Sequence, residues 1–196
     1  MSSSGNVDLR MTALEYAAWE LEQQERHEFF EGKVVSLAGG TRRHSLIGSN
    51  IAGELGRLSK GQPCQVHGCS MRVLIEATGY QAYPDCSVAC PADGEDESQE
   101  VITNPILLVE VLSPSTADFD RGGKFGHYRQ IASLKEYLVF WQDEARVEQH
   151  TRTAEGLWLL REVVGLNETL QCESLQQPLA LRDVYDKVQF EQTKLD

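Results

Sequence analysis

Three observations predict an α/β fold, a mixed β-sheet core flanked by helices with an additional C-terminal β-hairpin. Segments with helical spacing alternate with segments of strand spacing. The run Ile106 to Leu112 (ILLVEVL) is almost continuously apolar, which marks a strand buried on both faces. Arg146 to Thr151 and Leu157 to Val163 flank the turn Ala154-Glu155-Gly156 and read as a hairpin.

Thr12 followed by Glu15 has capping-box spacing, and Leu14, Ala17, Ala18 and Leu21 recur at helical intervals, so a first helix is expected to run to about Glu25. A strand is expected across Glu28 to Leu37, ended by Gly39-Gly40. Leu46, Ile47, Ile51, Leu55 and Leu58 form the apolar stripe of a second helix, which Gly61 and Pro63 close. From Cys64 to Val88 the period shortens, with Met71, Val73 and Ile75 alternating with polar residues, and an antiparallel meander is expected. Pro91 to Glu100 (PADGEDESQE) reads as a solvated acidic loop. Beyond the apolar run, Asp118 or Asp120 is expected to cap a helix reaching about Ala132, and Glu136 to Trp141 forms another buried strand. No repeat or linker interrupts the order, so residues 1–196 are expected to form one domain, with a core of about 12–188 and a flexible 1–10.

Composition narrows the function. The chain has 196 residues, with 18 Lys plus Arg against 30 Asp plus Glu and a net charge of −12. A protein that coats nucleic acid usually has a basic footprint over its whole domain; here any footprint must be local. The start, MSSSGNVDLRM, lacks signal-peptide regions, and no apolar stretch approaches bilayer-spanning length, so the cytoplasm is the expected location. Cys64, Cys69, Cys86, Cys90 and Cys172 form no C-x-x-C pair and are expected to be free thiols, most of them buried. His27, His67, His127 and His150 share no metal-ligand spacing, which argues against zinc. No phosphate-loop, dinucleotide-fingerprint or serine-nucleophile motif is present.

Two carboxylates stand in the wrong places for a solvated role. Glu110 lies inside the apolar run, where an ionised carboxylate costs several kcal/mol unless paired, hydrogen-bonded or metal-bound. Asp85 follows Pro84 and opens the short run Cys86-Ser87-Val88-Ala89. Two such acids, a backbone carbonyl taken to be that of Val111, and a substrate phosphate would satisfy magnesium or manganese, which prefer oxygen ligands. Lys124, in the helix that follows, is the cation expected beside them, to offset negative charge and position a water. The alternative on the same residues is a buried Glu110–Lys124 ion pair with no metal.

The strings HEFFEGKVV, Tyr83-Pro84-Asp85, ITNPILLVEVLSPST, the D-R-G-G-K-x-x-x-Y pattern from Asp120 to Tyr128, and SLKEYLVF resemble the Uma-two family of restriction endonucleases, within the PD-(D/E)xK nuclease superfamily. The resemblance runs from about Thr12 to Val188. It implies a restriction-endonuclease-like core and a metal-dependent nuclease in which Asp85 and Glu110 bind magnesium. Most of that superfamily places its lysine two residues after the glutamate; here that position is Leu112, and the resemblance moves the lysine to Lys124. It also implies a metal-side role for Glu31 in FFEGK and a substrate-side role for His44 in Arg43-His44, with Gln130 a weak further contact. The expected substrate is nucleic acid, DNA in the first instance, held by Arg42, Arg43, Lys60, Arg72, Arg121, Lys124 and Arg129 clustered around one cleft. A homodimer is expected, because cutting both strands is commonly done by two copies of one site. The competing reading is a non-catalytic module that keeps the nuclease scaffold.

Overall fold

The computed structural model describes residues 6–37, 39–90, 100–113 and 116–190. In chain order the elements are β1 (Asn6–Arg10), α1 (Ala13–Glu20), β2 (His27–Phe30), β3 (Lys33–Ser36), α2 (Arg42–Leu58), β4 (Gln65–Gly68), β5 (Arg72–Ile75), β6 (Tyr80–Ala82), β7 (Cys86–Ala89), β8 (Val101–Ile102) and β9 (Pro105–Val111). A π-helical segment (Phe119–Lys124) then leads into α3 (Phe125–Tyr128), β10 (Glu136–Phe140), β11 (Arg146–Arg152), β12 (Trp158–Val164), β13 (Thr169–Cys172), β14 (Gln177–Ala180) and α4 (Leu181–Val184).

Two six-stranded sheets carry the fold, in the orders β1-β3-β2-β6-β5-β8 and β12-β11-β10-β9-β7-β4, and β13-β14 is a separate pair. The expected mixed α/β architecture and the β11–β12 hairpin are both present. All seven residues of β9 are buried, as its apolar run requires. It lies parallel to β10 and antiparallel to β7, with the π-helical segment and α3 forming the crossover. One face of this sheet packs on Ile47, Ile51, Leu55 and Leu58 of α2 and on the β13–β14 pair. The other face, with Leu108, Tyr128, Tyr137 and Val139, meets β5 and β6 of the first sheet. The candidate site grows out of this second face.

Several local expectations change. The capping box of Thr12 and Glu15 forms, but α1 ends at Glu20 and turns its Tyr16 and Glu20 inward, leaving Leu14 and Leu21 exposed. The expected strand 28–37 is a hairpin, because Glu31 (φ 47°) and Gly32 (φ 81°) take the left-handed conformations of a two-residue turn. The meander is divided between sheets: β5 and β6 join the first, β4 and β7 the second. Asp118 makes no side-chain cap, and the segment it opens is π-helical. Residues 6–10, expected to be flexible, form an edge strand on β3.

Cys64 and Cys90 form a disulfide, which corrects the expectation of free thiols; Cys86 and Cys172 are buried and free, and Cys69 is exposed. The register Gln65↔Ala89 explains the bridge, since it sets Cys64 opposite Cys90. The acidic stretch 91–99 lies outside the described residues. Among those described, no helix is long and apolar enough to cross a membrane.

Candidate active site

Strand register assembles the first two acids. Cys86 pairs with Val109 in the antiparallel β7–β9 ladder, so Asp85, one residue earlier, stands opposite Glu110. The Asp85 carboxylate accepts a hydrogen bond from the Val111 backbone N–H at 2.7 Å. Glu110 is 4% exposed and points to the face where the π-helical segment delivers Lys124, itself 6% exposed.

Lys124 is the hub of an ion cluster. Its Nζ lies 3.1 Å from Glu110 Oε1, 3.1 Å from Glu28 Oε1 and 3.2 Å from Asp120 Oδ1. Tyrosines hold the acids in place: Tyr128 donates to Glu110 Oε1 at 2.8 Å, Tyr80 donates to Glu28 Oε2 at 2.9 Å, and Tyr137 donates to the Asp120 carbonyl at 2.9 Å. Thr116 donates its hydroxyl to Asp120 Oδ2 at 2.5 Å. Asp120 Oδ1 is buried with no hydrogen-bond partner, although Lys124 is within ionic range. The π-helical geometry of 119–124 is what brings Asp120 and Lys124 together over the end of β9.

His44 approaches from the other side. Thr41 caps α2 by accepting the His44 backbone N–H at 3.1 Å and donates its hydroxyl to Gln142 at 2.7 Å, tying the helix start to the residues after β10. The His44 Nε2 lies 3.3 Å from Asp85 Oδ2. A Cβ on Gly40 would stand 2.9 Å from His44 Nδ1, so the imidazole fits only because residue 40 has no side chain.

The electrostatics are those of a site short of positive charge. Burial drives the Glu110 carboxyl well above the usual range, Lys124 pulls it partly back, and Asp120 and Asp85 push it further up. Burial works against the Lys124 ammonium, but Glu110 and Glu28 overcome it and raise its pKa. The hydrogen bond with Asp85 raises the pKa of His44 against its burial. Four carboxylates therefore face one lysine and one imidazole.

The sequence-based candidates divide as follows. Asp85, Glu110, Lys124 and His44 come together. Val111 takes part through its backbone, donating its N–H to Asp85. Glu31 does not join them: it occupies the exposed turn after β2, and the acid that reaches Lys124 is Glu28, three residues earlier. Glu28 carries a weaker form of the signal that singled out Glu110, a carboxylate followed by two phenylalanines in HEFF. Asp120, also not anticipated as a ligand of the lysine, lies one helical turn before it. Gln130 is exposed. Four of the seven basic residues expected around one cleft are placed elsewhere or enclosed. Arg72 is 3% exposed and lies against the Tyr16 ring, Arg121 pairs with Glu148, Lys124 is enclosed by acids, and Lys60 follows the far end of α2 from Arg42.

A divalent cation suits this donor set, which offers hard carboxylate oxygens and an excess of negative charge over Lys124 and His44. Among the described residues no three His, Cys, Asp or Glu side chains converge as a ready-made metal cage. Two carboxylates completed by backbone, water and substrate oxygens remain the arrangement that fits.

Comparison with known proteins agrees with the architecture. The family model Uma2, described as "Putative restriction endonuclease", matches residues 13–182. An uncharacterized protein of Synechocystis sp. is 31% identical over 182 residues, covering 92% of this chain and 94% of the relative. A second Synechocystis protein, also uncharacterized, is 35% identical over 162 residues, covering 82% and 92%. A crystal structure from Anabaena variabilis, titled as a "putative nuclease belonging to DUF820", superposes with a TM-score of 0.76 at 16% identity, covering 91% of this chain and 99% of that one. At that identity the likeness speaks for the fold.

Proposed function

The chain belongs to the Uma2 family, and from that premise we propose that it is a magnesium- or manganese-dependent endonuclease that hydrolyses phosphodiester bonds in DNA. The observation that carries this reading is the buried cluster in which Glu28, Glu110 and Asp120 surround Lys124 with Asp85 alongside, a concentration of negative charge suited to a divalent cation that would in turn attract a phosphate.

Asp85 and Glu110 would hold the metal with the Val111 carbonyl, and the bound ion would supply Lewis acidity and a water acidified for attack on phosphorus. Lys124 steadies negative charge that develops at the scissile phosphate. Tyr128 fixes the orientation of Glu110, and Tyr80 that of Glu28, so neither carboxylate must reorganise when substrate arrives. His44 stands beside Asp85, at the start of α2, where its imidazole can bind a phosphate oxygen. The enzyme acts on DNA in the cytoplasm, as a homodimer that offers one site to each strand.

A non-catalytic nuclease-fold module is the second reading. It is favoured by the placement of Arg72 and Arg121 away from one cleft and by the lack, among the described residues, of three side chains converging as metal ligands.

The test is cleavage of a mixture of DNA sequences with magnesium or manganese. Wild-type protein is expected to cut, and Asp85→Ala to lose about a thousandfold in rate, the order seen when an electrostatic stabiliser of a transition state is removed, while its unfolding transition stays cooperative. Absence of cleavage by the wild type with either metal, on DNA and RNA of many sequences, overturns the catalytic reading.

A further inference from the structure

The most concentrated exposed apolar surface lies far from the carboxylates, on β12. Leu157, Leu159, Leu160, Val164 and Leu166 are 65%, 61%, 61%, 53% and 44% exposed, within ten residues of sequence. Leu160 and Val164 lie on one face of the strand and Leu159 on the other, with Leu157 and Leu166 just beyond its ends, so exposed apolar side chains flank the free edge on both faces. β12 is also the terminal strand of its sheet, and among the described residues no strand pairs with its outer edge. Natural edge strands are commonly blunted by Lys, Pro or a bulge. The strand Trp158–Val164 has no Lys and no Pro, and its seven pairs with β11 run without a register shift.

We infer that β12 is the interface of a homodimer, in which the strand pairs antiparallel with the same strand of a second copy and the two six-stranded sheets become one of twelve strands. Three observations favour a second copy as occupant. The edge offers its own backbone donors and acceptors to an identical partner, leaving neither strand unpaired. The strand is locally neutral in a chain of charge −12, since Arg161 and Glu162 balance, so two copies approach here with less repulsion than elsewhere. Glu162 is already engaged by Arg146 of its own chain, with Nε donating at 2.7 Å.

Symmetry selects the register. A two-fold axis perpendicular to a continuous sheet keeps each face on its own side, so paired residues must come from the same face of the strand. Leu160 and Glu162 share one face, opposite His150 and Glu148, while Leu159 and Arg161 share the other. An axis at Glu162 or at Arg161 would set like charges opposite each other, which is destabilising. An axis at Leu160 pairs Leu160 with its own copy, Leu157 with Val163 and Trp158 with Glu162. It opposes no like charges, and of the axes that avoid them it keeps the most strand residues paired, five of seven (Trp158 to Glu162) against three for an axis at Leu159 or Val163.

This inference deepens the dimeric part of the proposed function and rests on that reading only for its use in cutting two strands. The test is sedimentation of the full chain. Wild type is expected at twice the 21.9 kDa chain mass, and Leu160→Glu, which places two carboxylates on the axis, at half the wild-type value. A Leu160→Cys variant in a Cys69→Ser background is expected to give a covalent dimer with a short thiol crosslinker, and Arg161→Cys in that background to give much less. A monomeric wild type, a dimer that survives Leu160→Glu, or a Leu160→Cys variant that does not crosslink overturns the inference. Heat of magnesium or manganese binding, measured on the Leu160→Glu protein, keeps the two readings apart: it is expected unchanged, so a failed interface and a failed metal site give different results.

Discussion

Glu110 and Glu136 are the same residue type, almost equally buried, in neighbouring strands of one sheet, and they lead opposite lives. The β9–β10 register pairs Glu136 with Leu107 and Val139 with Glu110, so the two carboxylates leave opposite faces. Glu136 is 0% exposed and fully served by neutral donors: the Gln149 amide at 2.6 Å, the Ser174 hydroxyl at 2.7 Å and the Ser174 backbone N–H at 2.9 Å. It pins the β13–β14 pair to the sheet. Glu110 instead shares one lysine with two other acids, and Asp85 stands opposite it. A buried carboxylate alone does not mark a site; an under-neutralised one does.

Three substitutions sharpen that contrast. Lys124→Met leaves Glu28, Glu110 and Asp120 buried without their cation and is expected to cost about 3–5 kcal/mol, the range for breaking one partner out of a buried ion cluster, read from urea unfolding at neutral pH. Glu136→Gln keeps the shape but turns an acceptor of several donors into a half-donor, with an expected loss of about 1–3 kcal/mol in the same assay. Glu110→Gln, measured in chelator, is expected to leave stability unchanged or raise it by up to about 1 kcal/mol, because replacing a buried ion by a neutral group of similar shape is often neutral or stabilising. If Glu110→Gln costs more than Glu136→Gln, the two regions are alike and the contrast is wrong.

The smallest effect concerns pH. His150 is buried against the Phe125 ring, and burial lowers its pKa below the ordinary 6.5. The unfolded chain then binds more protons than the folded one between those two values, so stability falls as pH drops below 6.5 and levels off below the folded value. The slope stays within about 1.4 kcal/mol per pH unit for one group. His150→Gln is expected to flatten that segment of the profile.

Much of the site was legible in the sequence because its signals are local. Glu110 interrupts an apolar run, Pro84-Asp85 opens a short strand, and Lys124 lies in the crossover between two buried strands. That Glu28 and not Glu31 reaches Lys124 has a physical source. Whether 28 to 37 is one strand or a hairpin depends on Glu31 taking a left-handed conformation, and that turn decides which acid faces the lysine. The division of β4 to β7 between two sheets and the Cys64–Cys90 bridge depend on long-range register, which alternation along one segment does not encode. The exposure of the leucines of the terminal hairpin is not encoded locally either: the spacing of Leu157, Leu159 and Leu160 does not say whether a third layer covers them.

The central claim is that the acids around Lys124 form a metal site and those around Glu136 do not. Calorimetric titration with manganese, run in parallel on wild type, Glu110→Gln and Glu136→Gln, tests it most directly. The account predicts binding heat in the wild type and in Glu136→Gln, and its loss in Glu110→Gln. A wild type that gives no heat at millimolar manganese, or a Glu110→Gln protein that binds as the wild type does, would contradict it.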